Sequence, residues 1–152
     1  MTKPEFHYVT IIDAPVQKVW QVLTTAEFTS QYWHNTRVQS DWQVGSPVVF
    51  LVDGDEIGCE GKVLEVEQYT KLSYSWRFPR NPACAAEEPS IVSFELEDLD
   101  GSTKLAVLHT GFASAESPTY QMVSGGWPFV LAGLKTLCEA GQTRDFSALM
   151  QG

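Results

Sequence analysis

The stretch LSYSWRF, residues 72–78, alternates without a break between large apolar and polar side chains. Its even-numbered positions carry Leu, Tyr, Trp and Phe, and its odd-numbered positions carry Ser, Ser and Arg. Because successive side chains of a strand point to opposite faces, this alternation predicts a β-strand with one aromatic face buried and one polar face in water. It is the clearest strand signal in the chain.

Further strand patterns lie on both sides of this segment. Residues 91–97 alternate in the same way, and an Asp-Gly turn at 100–101 leads into another strand over residues 103–112. Toward the N-terminus, strands are predicted over residues 6–12, 48–52 and 57–68. Gly58 and Gly61 in the last of these predict a bulge or sharp curvature. We therefore expect five or more antiparallel strands in one strongly bent sheet.

Helical spacing of apolar residues occurs in two regions of the chain. Residues 15–24 predict a helix, and a second short helix follows up to Trp33, after which the polar residues 35–40 indicate a connection. A longer helical pattern begins near residue 117 and ends at a glycine, Gly141. Two glycines at 125–126 and Pro128 interrupt it, so we predict a kink or break there and a main helix over about residues 127–140.

This order of elements predicts the fold class. One α+β domain over residues 1–152 wraps a curved antiparallel sheet around a long C-terminal helix, with two short helices after the first strand. A curved sheet and a helix touch closely only along a line, so a cavity is expected beside that line.

Composition excludes several classes of function. The net charge is −9 and the ten Lys and Arg are scattered singly, so we expect no nucleic acid partner and no membrane insertion. An odd cysteine count of three, without a CxxC pair, favours a reducing compartment, and neither a leader nor a membrane span is evident. The expected location is cytoplasmic.

Metal and catalytic signatures are missing from the sequence. The three histidines, His7, His34 and His109, are too far apart for a ligand pair, and the acidic turn at 53–56 lacks the spacing of a calcium loop. GxSxG, GxxxxGK[ST] and GxGxxG do not occur. We expect no metal, no cofactor and no evident catalytic machinery.

Aromatic residues are the sharper signal. About half of them are expected to serve packing alone, and the rest, with one histidine, are candidates for the wall of a ligand cavity. His109 shares a face with Leu105 and Val107, so it points inward, more simply as a core residue than as an acid or base acting with Tyr74 or Tyr120. The predicted cavity residues are Trp33, Tyr74, Trp76, Phe78, Phe94, His109, Tyr120 and Trp127.

Four segments resemble one known family. Residues 13–33, 61–76 and 93–112 and the Gly-Trp pair at 126–127 are similar to homologues of the activator of the ninety-kilodalton heat-shock protein's ATPase. This family belongs to the helix-grip, or SRPBCC, superfamily, which also holds START lipid-transfer domains, Bet v-type allergens and polyketide cyclases. The resemblance covers about residues 6–140 and implies a helix-grip fold whose matched positions are framework positions.

Three functions follow as expectations. The first is binding of a hydrophobic or aromatic small molecule in an internal cavity. The second, implied by the resemblance, is stimulation of a chaperone's ATPase through a surface contact, although no docking segment beyond this domain is evident. The third is a cofactor-free, polyketide cyclase-like enzyme using His109. Leu108 and Phe112, predicted on the face opposite Leu105, also favour a homodimer.

Overall fold

The computed structural model describes residues 3–33 and 35–141. In chain order its elements are β1 (Phe6–Ile12), α1 (Val16–Thr24), α2 (Ala26–Tyr32), β2 (Arg37–Ser40), β3 (Pro47–Val52), β4 (Glu56–Glu67), β5 (Lys71–Trp76), α3 (Pro82–Ala85), β6 (Ser90–Asp98), β7 (Thr103–Thr110) and α4 (Pro118–Ala140). No helix within the described ranges is both long and apolar enough to cross a bilayer.

The strands form one seven-stranded antiparallel sheet in the order β1-β7-β6-β5-β4-β3-β2. Along β6 and β7, buried side chains alternate with more exposed ones, as the sequence pattern predicted. The inward side chains meet α4, whose buried face includes Val123, Trp127, Leu131 and Leu134. The predicted α+β helix-grip fold, a curved antiparallel sheet around a long C-terminal helix, is therefore confirmed.

Curvature comes from β4, the longest strand. Pairing with β3 skips Gly58, and pairing with β5 skips Leu64, so the strand carries two bulges. A bulge bends its strand and increases the local twist. At Gly61 the backbones of β4 and β5 are in close contact, since a Cβ there would lie 1.7 Å from the carbonyl oxygen of Ser75. The bend predicted from Gly58 and Gly61 is confirmed.

The long helix differs from its prediction because α4 runs without a break for 23 residues from Pro118 to Ala140. Pro128 removes one backbone donor and costs about 3 kcal/mol in a helix interior. The apolar face on both sides of it is buried along the whole helix, and this burial outweighs that local cost. The helix ends as predicted at Gly141, whose φ of 77° is left-handed.

Two further elements lay within segments predicted as connections. Arg37–Ser40 forms the edge strand β2, in which only Val38 is fully buried, so no alternation of apolar residues marks it. Residues 79–89, the connection between the strands predicted over 72–78 and 91–97, contain the short helix α3, and the side chain of Asn81 caps it by accepting from the backbone N–H groups of Ala83 and Cys84.

We expect the same substitution to have opposite effects at two glycines. Gly61→Ala should lower the free energy of unfolding by about 3 kcal/mol or more, because its methyl group collides with the backbone of β5. Gly125→Ala, whose Cβ meets nothing within 4 Å, should raise it by about 0.5–1 kcal/mol. Urea unfolding of both variants measures these changes, and a Gly61→Ala protein as stable as the wild type would contradict the close approach.

Candidate functional site

A pocket of about 530 Å³ opens beside the first half of α4. Its opposite wall consists of Trp33, which directly follows α2, and of Trp76 and Phe78 at the end of β5. The helix contributes the remaining lining residues, which are Gln121, Met122, Val123, Gly125, Gly126, Trp127, Phe129 and Val130. The pocket therefore lies between the concave side of the sheet and α4.

The described lining carries no ionisable side chain. Gln121 supplies the single side-chain amide, and the other side chains are aromatic or aliphatic, apart from the thioether of Met122. Beside Gly125 the space is open, since an added Cβ would meet no atom within 4 Å. A mostly apolar concave surface with few polar groups is typical of a small-molecule site.

Three tryptophans pack together at the wall of the pocket. The rings of Trp33 and Trp76 are nearly parallel, with an interplanar angle of 11° and centroids 5.9 Å apart. Trp127 lies 5.5 Å from Trp76 and 5.4 Å from Trp33. Trp76 and Trp127 are buried, whereas Trp33 is only partly buried. Trp33 is therefore the outer member of the cluster.

The indole N–H of Trp76 has no hydrogen-bond acceptor among the described residues, although the nitrogen is shielded from solvent. Buried polar groups are nearly always paired, and leaving one unpaired costs about 1–3 kcal/mol. Trp76 is the one pocket-lining residue with such an atom in the described part of the chain.

His109 lies behind this wall, and both of its ring nitrogens form hydrogen bonds. The indole N–H of Trp127 donates to its Nδ1 at 3.1 Å, so Nδ1 is the unprotonated nitrogen. Nε2 must then carry the proton and donate to the Ser90 hydroxyl at 2.7 Å. That hydroxyl in turn reaches the backbone oxygen of Trp76 at 3.4 Å. The chain of bonds joins α4 to β7, β6 and β5.

Burial keeps this imidazole neutral. The side chain of His109 is fully buried, and burial lowers its pKa to about 3. His109 is not among the lining residues, whereas Trp76 and Trp127, which pack against it, are. With both nitrogens engaged and no contact with the pocket, the imidazole acts as a structural connector.

The eight predicted cavity residues divide into two groups. Trp33, Trp76, Phe78 and Trp127 line the pocket. The other four lie outside its lining, and these are Tyr74, Phe94, His109 and Tyr120. The first three of this second group are buried in the core, and Tyr120 is partly buried. Ligand contact by any of the eight stays a prediction.

Apart from Trp127, the helix side of the pocket was not predicted. Met122, Gly125 and Phe129 lie toward the flank of α4, away from its most buried stripe, and the glycine was interpreted as a helix breaker. A signal was present, because a glycine in a long amphipathic helix often marks a close approach or an open space.

The rim of the pocket is tied to the loop that contains α3. The Glu87 carboxylate accepts the hydroxyls of Ser117 and Thr119 at 2.6 and 2.8 Å and the backbone N–H of Thr119 at 3.0 Å. Desolvation alone would raise the pKa of Glu87, but these hydrogen bonds outweigh it and the pKa is lowered. Nearby, the thiol of Cys84 lies 3.6 Å from the sulfur of Met122. Loop and helix are thus held together beside the opening.

The sequence predicted Phe112 on the outer face of the sheet, and this prediction is wrong. It is buried and contacts His109 and Tyr120, with ring centroids 4.9 and 5.1 Å away. Gly111, with a φ of 93°, breaks the strand alternation and turns the next side chain inward. Leu108 alone keeps the outward position, and the homodimer stays a prediction.

Of the other histidines, His7 is exposed and His34 lies outside the described residues.

We expect His109 to make the fold sensitive to acid. The unfolded chain protonates this histidine below about pH 6.5, whereas the folded chain resists protonation down to a pKa of about 3. Stability is therefore full above pH 6.5 and falls by up to about 1.4 kcal/mol for each pH unit below it. His109→Gln keeps one donor and one acceptor without the titration. Urea unfolding between pH 7.5 and 4.5 should show that the wild type loses more stability than the His109→Gln variant as the pH falls. His7→Gln serves as the control. A constant difference would contradict the neutral, buried imidazole.

Comparison with solved structures shows the same fold in several proteins. A protein from Mesorhizobium loti superposes with a TM-score of 0.74 at 24% identity, covering 88% of this chain and 96% of that one. The Aha1 dimer from Colwellia psychrerythraea gives 0.72 at 21% identity, with 91% and 98% covered. An HSP90 activator from Plasmodium falciparum gives 0.71 at 17% identity, with 88% and 94% covered.

Sequence comparison is more specific about the family. No curated protein matches the chain. One family model does, and it covers residues 13–139, from just before α1 almost to the end of α4. This match confirms the resemblance seen in the sequence, and the chain belongs to the family of activator of Hsp90 ATPase homolog 1-like proteins.

Proposed function

We propose that this protein binds a hydrophobic or aromatic small molecule in the pocket beside α4. The observation that carries the proposal is the pocket itself, about 530 Å³ in volume with aromatic walls and no ionisable side chain in its described lining. That volume lies within the usual range for drug-sized ligands. The pocket is large enough to enclose two or three fused rings.

Open space beside the helix supports the same proposal. Water fills the open pocket and hydrates its apolar walls, which is less favourable than contact between those walls and an apolar ligand. Gly125 keeps part of the space free, and the nearby Gly126 also lines it. A ligand that covers the exposed edges of Trp33 and Phe129 would recover about 25 cal/mol for each Å² of apolar surface.

Filling the pocket tests this function. Nile red, an uncharged dye that brightens in apolar surroundings, should bind the wild type, and Gly125→Leu should weaken that binding at least tenfold because the new side chain enters the open space. Ala140→Leu places the same side chain on an exposed position of α4 outside the lining and should bind as the wild type does. A fluorescence titration measures all three. Equal affinity for Gly125→Leu and wild type would contradict binding in this pocket.

A second candidate function comes from the family. The family description names activators of the Hsp90 ATPase, and one protein of similar fold is an HSP90 activator. Under this candidate the chain contacts a chaperone through its surface. The predicted chaperone partner and a small-molecule ligand are compatible, because the pocket occupies one side of α4 only.

An ATPase assay tests the second candidate. Adding this protein to the Hsp90-type chaperone of its own organism should raise the rate of ATP hydrolysis until a fixed stoichiometry is reached. Gly125→Leu should stimulate as well as the wild type, because this candidate function does not require a ligand in the pocket. No stimulation at saturating protein would remove this candidate and leave the pocket proposal unaffected.

A further inference from the structure

We infer that the pocket takes a neutral molecule with an oxygen or nitrogen acceptor, which receives a hydrogen bond from the indole N–H of Trp76. The inference rests on the proposed small-molecule function and adds the chemistry of the ligand. Two observations carry it: the uncharged lining and the unpaired N–H.

The uncharged lining selects a neutral ligand. A charge moved from water into an apolar site must find a counter-charge or lose much of its solvation energy. The described lining has no ionisable side chain to supply one, and its one side-chain amide belongs to Gln121, which is exposed. The nearby carboxylate of Glu87 is already engaged by Ser117 and Thr119. An ionic ligand would therefore bind poorly.

The unpaired N–H selects an acceptor. The indoles of Trp76 and Trp127 pack against each other in the wall of the pocket, and their N–H groups differ in one respect. The N–H of Trp127 is satisfied by His109, whereas that of Trp76 has no acceptor among the described residues. A ligand carbonyl, ether oxygen or ring nitrogen at hydrogen-bond distance would satisfy the donor and recover about 0.5–1.5 kcal/mol.

Binding at that N–H requires a local rearrangement. The Trp76 nitrogen is shielded from solvent, so a ligand reaches it only after a neighbouring side chain moves. Trp33 is one such neighbour, since it packs against Trp76 with ring centroids 5.9 Å apart and is only partly buried.

A matched set of three probes tests the ligand chemistry. Indane is apolar, 1-indanone adds one carbonyl acceptor to the same frame, and 1-indanone-5-carboxylate adds a charge. In ¹⁵N–¹H spectra the indole signal of Trp76, assigned by its loss in Trp76→Phe, should move downfield with 1-indanone and not with indane. The indole signal of Trp127, already hydrogen-bonded to His109, is the internal control.

Affinities from the same titrations give the second readout. We expect 1-indanone to bind about 2- to 13-fold more tightly than indane, as one neutral hydrogen bond would provide. The carboxylate should bind at least tenfold more weakly than 1-indanone. In Trp76→Phe the advantage of 1-indanone over indane should disappear. If that variant does not fold, the wild-type indole signals, assigned instead by nuclear Overhauser contacts to neighbouring rings, decide the matter.

The outcomes separate the inference from the function on which it rests. Equal binding of indane and 1-indanone, or an unmoved Trp76 signal, would overturn the acceptor and leave a purely apolar pocket. Binding of the carboxylate as tight as that of 1-indanone would overturn neutrality. Absence of binding by all three probes, together with failure of Nile red, would overturn the small-molecule function itself.

Discussion

The contact between α4 and the concave face of the sheet holds this molecule together, and its centre is a chain of hydrogen bonds through a buried imidazole. Trp127 on the helix donates to His109 on β7, which donates to Ser90 on β6, which reaches the backbone of β5. Polar bonds inside an apolar core have direction, so they define how the helix lies across the strands more narrowly than apolar contact does. The fold can bury this histidine because both of its nitrogens are satisfied.

The pocket follows from the same arrangement. The sheet bends because β4 carries two bulges, and a straight helix can follow a bent surface only over part of its length. Where helix and sheet diverge, large rings fill some of the gap and glycines leave the rest open. The pocket and the chain of hydrogen bonds through His109 share two residues, Trp76 and Trp127. Both line the open space on one side and pack against His109 on the other.

Most of the fold could be predicted because most elements have two unlike faces. The strand over residues 72–78 and the strand over 91–97 alternate since one side meets the core and the other meets water. β2 has no such contrast and was missed, and the length of α4 was underestimated because local propensity at Pro128 is weaker than burial along the whole helix. At the site, large apolar residues on inward faces identified one wall. Hydrogen-bond partners far apart in sequence, such as Ser90 and His109, leave no periodic pattern that could reveal them.

The three packed tryptophans also have an optical consequence. Indole rings whose centroids lie 5.4–5.9 Å apart exchange excitation energy faster than any one of them emits light. Trp33, Trp76 and Trp127 therefore behave as one coupled chromophore in which the excitation samples all three rings. A quencher in contact with Trp33 alone darkens the whole cluster, so the ultraviolet emission of these three rings reports on a single location.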